Sequence, residues 1–569
     1  MTVRLPEYLD LIATAPEGVR KLRGLILELA VRGRLVPQDP NDEPASELLK
    51  RIARERARLE AEGSCKKSKP LPAVGEEEQL LTLPKGWEWT RLADLLAIVT
   101  DGDHLPPPKA DDGIPFLVIG NLNAGRISFD GCRFVPETYF NELDWSRRPT
   151  TGDLLYTVTG SYGITIPVTT DAAFCVQRHV AILKSVPSSP TSFLLRYLQS
   201  PSAKSFADLV ATGIAQKTVT LGALRVMPIA VPPLAEQHRI VAKVDELLAL
   251  CDRLEAEQTD AGAAHARLVA TLLGTLTQST DAAELAANWQ RLAEHFDTLL
   301  TTESSLDALK QTILQLAVLG KLVPQDPNDE PASELLKRIA KERARLKAVG
   351  ACKQSRPLPL VRADEQPFPI PRGWVWTTVE SISFVGTGTT PSRTNPAYFN
   401  PPLIPWVTSG ETRDPFIAMT DEKVSPLALK ETSLTVYPVG TLIVAMYGQG
   451  KTRGQISELR IEASTNQACS AITPLLPNIE LRKYIKLFFE KIYDEIREKA
   501  AGGAQPNLNV GKIKATLISL PPLAEQHRIV AKVDELMALC DRLKADLAES
   551  RARQQRLATT LIESALEAA

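Results

Sequence analysis

PPLAEQHRIVAKVDEL occupies Pro232–Leu247 and returns, letter for letter, at Pro521–Leu536. Two prolines ahead of an apolar-periodic run make a good helix start. Ile240, Val244, Leu247, Cys251 and Leu254 then follow at alternating steps of four and three, a heptad seam that Ile529, Val533, Leu536, Cys540 and Leu543 repeat. Continued to Leu272, the first copy predicts a rod about 58 Å long. The seam weakens at Gln258 and His265, which predicts a polar, bent or broken far end.

Working outward, the repeat takes in nearly the whole chain. LAVRGRLVPQDPNDEPASELLKRIARERARLEAEG at Leu29–Gly63 returns as LAVLGKLVPQDPNDEPASELLKRIAKERARLKAVG at Leu316–Gly350. LPKGWEWT, with Trp87 and Trp89, returns as IPRGWVWT, with Trp374 and Trp376. Glu7 and Asp10 match Glu294 and Asp297; Arg267, Leu268 and Leu272 match Arg556, Leu557 and Leu561. Between these flanks, residues 91–215 and 378–504 share little, so each unit is a constant frame holding a variable insert. The two terminal pieces of frame together match the central frame in length, which predicts that the chain ends meet in a pseudo-two-fold, circular arrangement of insert, frame, insert, frame.

The rest of the frame also reads as helix. Leu22, Leu25, Ile26 and Leu29 form one apolar stripe closed by Gly33, and after the VPQDPNDEP turn Ser46 is the expected N-cap of a helix with Leu48, Leu49, Ile52 and Leu59 inward. Its copy is Ile313–Leu346. The inserts read as α/β: IPFLVIG, DLLYTVTG and VAILKSV in the first, LIPWVTSG, TLIVAMYG and SAITPLL in the second, are short β-rich runs. SFLLRYLQSPSAKSFADLVAT and LRKYIKLFFEKIYDEIREKA are amphipathic helices.

The 569 residues are 44% apolar with a net charge of −2. That balance carries no global signature of nucleic-acid binding, so phosphate contacts would need local basic patches or a basic partner. Uncharged runs long enough to span a bilayer are absent from the sequence, and the N-terminus lacks the pattern of a secretory signal, so a cytoplasmic location is expected. The 7 cysteines, Cys65, Cys132, Cys175, Cys251, Cys352, Cys469 and Cys540, stand singly without zinc spacing and read as reduced, buried thiols.

With these pieces in view, the chain from about Glu7 onward resembles the specificity (S) subunit of type I restriction-modification systems. The resemblance rests on the doubled PPLAEQHRIVAKVDEL and the GW-x-W motifs. It also rests on GIAQKTVTLGALRVMPIAVPPL and GAQPNLNVGKIKATLISLPPL ahead of the two long helices, and on the insert openings DGDHLPPPKADDGIPFL and GTGTTPSRTNPAYFNPPLIPWVTSG. It implies a mixed α+β fold: two α/β target-recognition domains separated by long antiparallel helices forming coiled coils. The expected boundaries are 1–76, an N-terminal conserved helical region; 77–231, the first target-recognition domain; 232–362, the central conserved helical region; 363–520, the second target-recognition domain; and 521–569, the C-terminal conserved helical region.

The resemblance further implies that each variable domain reads one half of a split double-stranded DNA target while the frame docks two methyltransferase (M) subunits, with restriction (R) subunits completing the complex. This chain would be non-catalytic and hold no cofactor or metal; S-adenosylmethionine would belong to the M subunits, ATP and Mg to the R subunit. A self-contained DNA adenine methyltransferase or nuclease, and a coiled-coil scaffold without sequence preference, are the alternatives.

Base reading calls for forked polar groups on loops or strand ends. In the first insert these are Lys109, Asn121, Asn123, Arg126, Ser161, Tyr162, Arg178 and Lys217; in the second, Ser392, Arg393, Thr394, Tyr447, Gln449, Lys451, Arg453 and Asn507. Gln216 and Gln505, at matched positions, read as structural. Glu236, His238, Arg239, Glu525, His527 and Arg528 are the expected subunit-docking residues. Three motifs are tempting and set aside. Asn400–Leu403 spells NPPL but lacks the aromatic that would stack on a flipped adenine. GQGKT at Gly448–Thr452 has Ala445 where a phosphate-binding loop needs glycine. The Arg-rich RIARERARLEAEG interleaves glutamates and reads as a paired, solvated helix face.

Overall fold

The computed structural model describes residues 9–63, 70–79, 81–104, 106–122, 125–214, 216–349, 361–448, 452–501 and 508–568. Two compact units are present, Met1–Ala261 with Ser550–Ala569, and Gly262–Glu549. The last stretch of chain thus joins the first in one unit, as the matching frame lengths require. Neither unit is an isolated insert: each combines one insert with the frame helices packed against it.

The duplicated stretch opens helices Leu234–Gln278 and Leu523–Ala568, of 45 and 46 residues, each about 68 Å long. The first runs unbroken through Gln258 and His265, so the far end is not broken, and the exposed residues 255–264 there make it polar. Its distal AGAAHARLVATLL is rich in strong helix formers and free of proline, and Gln258 donates its side-chain amide to the Ala13 carbonyl at 3.0 Å.

In the first unit the seam residues Ile240, Val244 and Cys251 share a core with Leu22, Ile26, Leu48, Ile52 and, from the chain's end, Ala558. Arg23 pairs with Asp252 and Glu255, and Lys21 donates to the Thr559 hydroxyl. The second unit repeats the plan: Ile529, Val533 and Cys540 pack with Ile313, Leu335 and Ile339, and with Val269, Leu273 and Leu276. There Lys310 pairs with Asp541, and Lys544 with Asp307.

The short frame helices are Gly18–Val31 and Ala45–Ala61, copied at Glu303–Val318 and Ala332–Ala348. Ser46 is not the N-cap. The second helix starts one residue earlier behind Pro44, because the Ala45 N–H is held by the Gly86 carbonyl at 2.9 Å. On the arginine face Arg58 and Glu62 make an i to i+4 pair of the expected kind; Arg51 pairs with Glu43 ahead of the helix, and Arg56, largely buried, with Asp94 of the insert.

Each insert is pinched at its base by a two-stranded antiparallel ribbon. In the first, β1 (Glu88–Arg91) pairs with β9 (Pro228–Val231); in the second, β10 (Val375–Thr378) pairs with β19 (Leu517–Leu520). The first insert holds β2 (Ile98–Asp101), β3 (Ile114–Leu117), β4 (Arg133–Val135), β5 (Leu154–Thr157), β6 (Thr165–Pro167), β7 (Cys175–Val176) and β8 (Val180–Lys184). They form sheets ordered β2-β8-β5-β6 and β4-β3-β7. The second holds β11 (Ser383–Thr387), β12 (Ile404–Val407), β13 (Phe416–Ile417), β14 (Glu422–Val424), β15 (Leu442–Ala445), β16 (Ile456–Leu459), β17 (Ser464–Thr465) and β18 (Cys469–Pro474). Its sheets are ordered β11-β18-β15-β16-β13 and β14-β12-β17.

Most pairs are antiparallel; only β3–β7, β12–β17 and β13–β16 run parallel. The inserts are therefore mixed helix and sheet, as expected, with most of their short strands turning back through loops. The predicted helix after β8 is divided into Thr191–Leu198 and Pro201–Val210, with Ser200 capping the second through its hydroxyl. Its counterpart is divided into Ile479–Lys491 and Tyr493–Ala501. Among the described cysteines, Cys175, Cys251, Cys469 and Cys540 are buried and free and Cys132 is half-buried; burial pushes the Cys175 and Cys469 thiols up to about 12. Cys65 and Cys352 lie outside the described residues. Among the described residues no helix is long and apolar enough to cross a membrane.

Candidate nucleic-acid interface

The doubled motif builds the same latch in both units. Trp87 donates Nε1–H to Glu236 at 3.0 Å, and Trp374 to Glu525 at 2.8 Å. Arg239 reaches Asp42 in the VPQDPNDEP turn at 2.6 Å, and Arg528 reaches Asp329 at 2.6 Å. Gln237 and Gln526 each donate to a proline carbonyl just ahead of the helix, Pro232 and Pro521, at 2.8 Å. Gly33, at φ +68°, lies under the Trp87 ring: a Cβ there would stand 2.8 Å from the indole. The tryptophan therefore joins the insert's base, the hairpin turn and the long helix at one point.

Glu236 and Glu525 are each 1% exposed. Burial raises both carboxyls above the ordinary value, and the indole hydrogen bond works against that by favouring the charged form. The latches differ in one respect: Glu525 also accepts from Gln325 at 2.6 Å, whereas Glu236 Oε1 has no protein partner among the described residues.

This geometry corrects the docking expectation for Glu236 and Glu525, which are buried inside the latch and cannot face a partner. Arg239 and Arg528 are only partly open and already ion-paired. His238 and His527 are exposed, the latter 3.4 Å from Glu480. With them on the outer face stand Ala235, Ala242, Asp245 and Glu246, repeated as Ala524, Ala531, Asp534 and Glu535.

The sequence-predicted base readers separate into groups. Asn121 is 7% exposed, accepts from the Val118 N–H and donates to the Asp130 carbonyl, so its side chain closes a loop and is withdrawn as a reader. Lys109, Arg126 and Arg178 are exposed on separate loops. Ser161, Tyr162 and Lys217 converge: the Gly160 N–H donates to the Lys217 carbonyl at 3.0 Å, and Tyr162 donates to Asp208 at 2.7 Å beneath the Lys204 ammonium.

In the second insert Ser392, Arg393 and Thr394 share one exposed turn. Arg393 pairs with Glu422 at 2.8 Å and lies over the Phe399 and Trp406 rings. Tyr447 is 38% exposed and Arg453 half-buried. Asn123, Gln449, Lys451, Asn507 and the matched Gln505 lie outside the described residues. Sequence reasoning missed the exposed aliphatic groups beside these loops, Leu209 and Ile214 in the first insert and Met419 in the second. It sought polar readers only.

Two unlike domains, each on the same latched mount and each presenting polar and basic loop residues, form a duplicated recognition module. A family model described as the type I restriction modification DNA specificity domain matches residues 84–261 and again 371–550. The type I restriction enzyme EcoAI specificity subunit of Escherichia coli is 37% identical, the match spanning 96% of this chain and 94% of that protein. The EcoEI specificity subunit of the same organism is 36% identical over the same shares. A solved chain from work on complex assembly and conformational transition of the type I R-M system superposes with a TM-score of 0.50 at 17% identity, covering 85% of this chain and 99% of that one, a likeness of fold. The chain belongs to the type I restriction-modification DNA specificity family.

Proposed function

We propose that this chain chooses the DNA target of a type I restriction-modification enzyme, its first insert reading one half of a bipartite, asymmetric sequence and its second insert the other. The observation that carries this is a duplicated mount with unlike readers: the latch residues repeat from one unit to the other, while the inserts keep one strand order but differ in sequence and in the added edge strand β13 of the second. Two different readers suit a split target whose halves differ; two equal readers would suit a palindrome.

Some identical outer letters are used within each unit, Asp245 pairing with Arg196 and Asp534 with Lys483, which leaves the identity of the exposed Ala235, His238 and Ala242 with Ala524, His527 and Ala531 to be explained. Two copies of one partner, the M subunit, account for it, with R subunits completing the enzyme. Catalysis then lies outside this chain: S-adenosylmethionine is bound by the M subunits, ATP and Mg by the R subunit, and the assembly works on DNA in the cytoplasm.

The test is reconstitution with the M subunits, followed by mapping of methylated adenines in DNA from cells carrying the system. A split motif methylated once in each half is the expected result. Methyl transfer or cleavage by the purified chain alone would instead favour a self-contained enzyme, and the recovery of no common motif a nonspecific scaffold.

A further inference from the structure

Ile214 is fully exposed, at 107% of its reference area, with Leu209 nearby in sequence at 83%. Such exposure would mean little on a loose loop, but this loop is fastened on both sides. Thr212 and Thr218 exchange both backbone hydrogen bonds, at 3.0 and 2.7 Å, tying the two arms of the loop that carries Gly213, Ile214, Gln216 and Lys217. Thr218 in turn bridges to Thr159, and the Val219 N–H donates to Val158, so the loop lies along the continuation of β5. Gly213, at φ +114°, permits the turn; a Cβ there would stand 2.3 Å from the Gln216 carbonyl oxygen. Ser161, Gln216 and Lys217 are exposed around the same tip.

The matched stretch of the other insert can be compared by sequence. Gly213, Ala215 and Gln216 correspond to Gly502, Ala504 and Gln505, the same residue types. The two places that differ between them are Ile214 against Gly503 and Lys217 against Pro506. Of the positions that differ in sequence, Ile214 and Lys217 are exposed in the first insert; a kept sequence frame with exchanged letters suits a reading element.

Building on the proposed function, we infer that Ile214 and Lys217, on the loop tied by Thr212 and Thr218, enter the major groove of the half-site read by the first insert, Ile214 packing on a thymine C5-methyl group and Lys217 contacting a backbone phosphate. The C5-methyl is the one apolar group a base pair presents in that groove, and an exposed β-branched side chain complements it. The lysine supplies sequence-independent attraction beside it.

The experiment uses the full chain reconstituted with its M subunits. Target preference is read by selection from a random DNA pool, and binding to the selected site is measured against salt. Ile214→Ala is expected to relax one thymine position, in one half-site only, by about tenfold. Replacing that thymine by uracil, which lacks the methyl, should weaken the wild type by a similar factor and leave Ile214→Ala unaffected. Lys217→Ala should weaken all sequences alike and lower the salt slope by about one phosphate contact. If Ile214→Ala keeps the wild-type motif and its sensitivity to uracil, the inference is overturned; it is equally overturned if the variant loses M subunits while selecting the same DNA. If the wild type itself selects no split motif, the failure belongs to the proposed function.

Discussion

Replacing Trp87 by Phe removes the Nε1–H donor and part of the ring volume from a buried site; the volume lost is the same at Trp374, so the two copies of the latch predict different costs through the hydrogen bond alone. Glu236 is 1% exposed, and Trp87 supplies its side-chain hydrogen bond; in Trp87→Phe the buried carboxylate loses that partner. Hydrogen bonds to charged groups contribute about 1.5–3 kcal/mol, with the upper end expected where a buried charge is left unpaired. At Trp374→Phe, Glu525 keeps the Gln325 amide at 2.6 Å, so the cost there should fall toward the lower end, about 1.5 kcal/mol. The pH dependence has a definite sign. Both carboxyls titrate above their ordinary value because burial disfavours the charge, so the folded state retains a proton that the unfolded chain has already lost. Loss of the indole donor raises Glu236 further, and the penalty of Trp87→Phe shrinks as pH falls from neutral into that window. Hydrogen exchange on the full chain reads local opening of each unit without requiring two-state unfolding. Protection over Pro228–Val244 should drop by a factor of about 10–100 in Trp87→Phe, and by less over the matching Leu517–Val533 segment in Trp374→Phe. Equal losses in both units, or a Trp87→Phe penalty that grows on acidification, would refute the reasoning.

Four further outcomes are expected. Arg239→Ala and Arg528→Ala should each cost at most about 1 kcal/mol by the same exchange measurement, since both guanidinium groups are about one-third open to solvent and the pairs with Asp42 and Asp329 are screened. Exchanging residues 91–215 for those of a relative should alter one half of the methylated motif and leave the other unchanged; a change in both halves would contradict one insert per half-site. Adding one heptad to each long helix, about 10 Å of rod, should widen the gap between the half-sites, as motif mapping would show. Ala242→Arg or Ala531→Arg alone should lower the partner stoichiometry in native mass spectrometry from two M subunits to one, and the double substitution should remove both.

Much of this protein is fixed by local pattern. The doubled PPLAEQHRIVAKVDEL set two long helices because heptad spacing and a proline start are local properties, and the matched flanks located both inserts because similarity ends where the frame ends. The lengths of the frame pieces even predicted that the chain ends would share a unit. Tertiary structure decided what the doubled letters are for. Glu236, Gln237 and Arg239 look like a charged surface in the sequence, yet their partners Trp87, Pro232 and Asp42 are brought to them by the fold, and these letters serve an internal latch. The same limit applies to Asn121, whose polar type suggested reading but whose amide is spent on its own loop. It applies in reverse to Ile214, which an apolar side chain's usual preference would have placed inside. Periodicity reports which face of an element is buried; only the packed chain determines which polar groups find partners and which side chains are left facing outward.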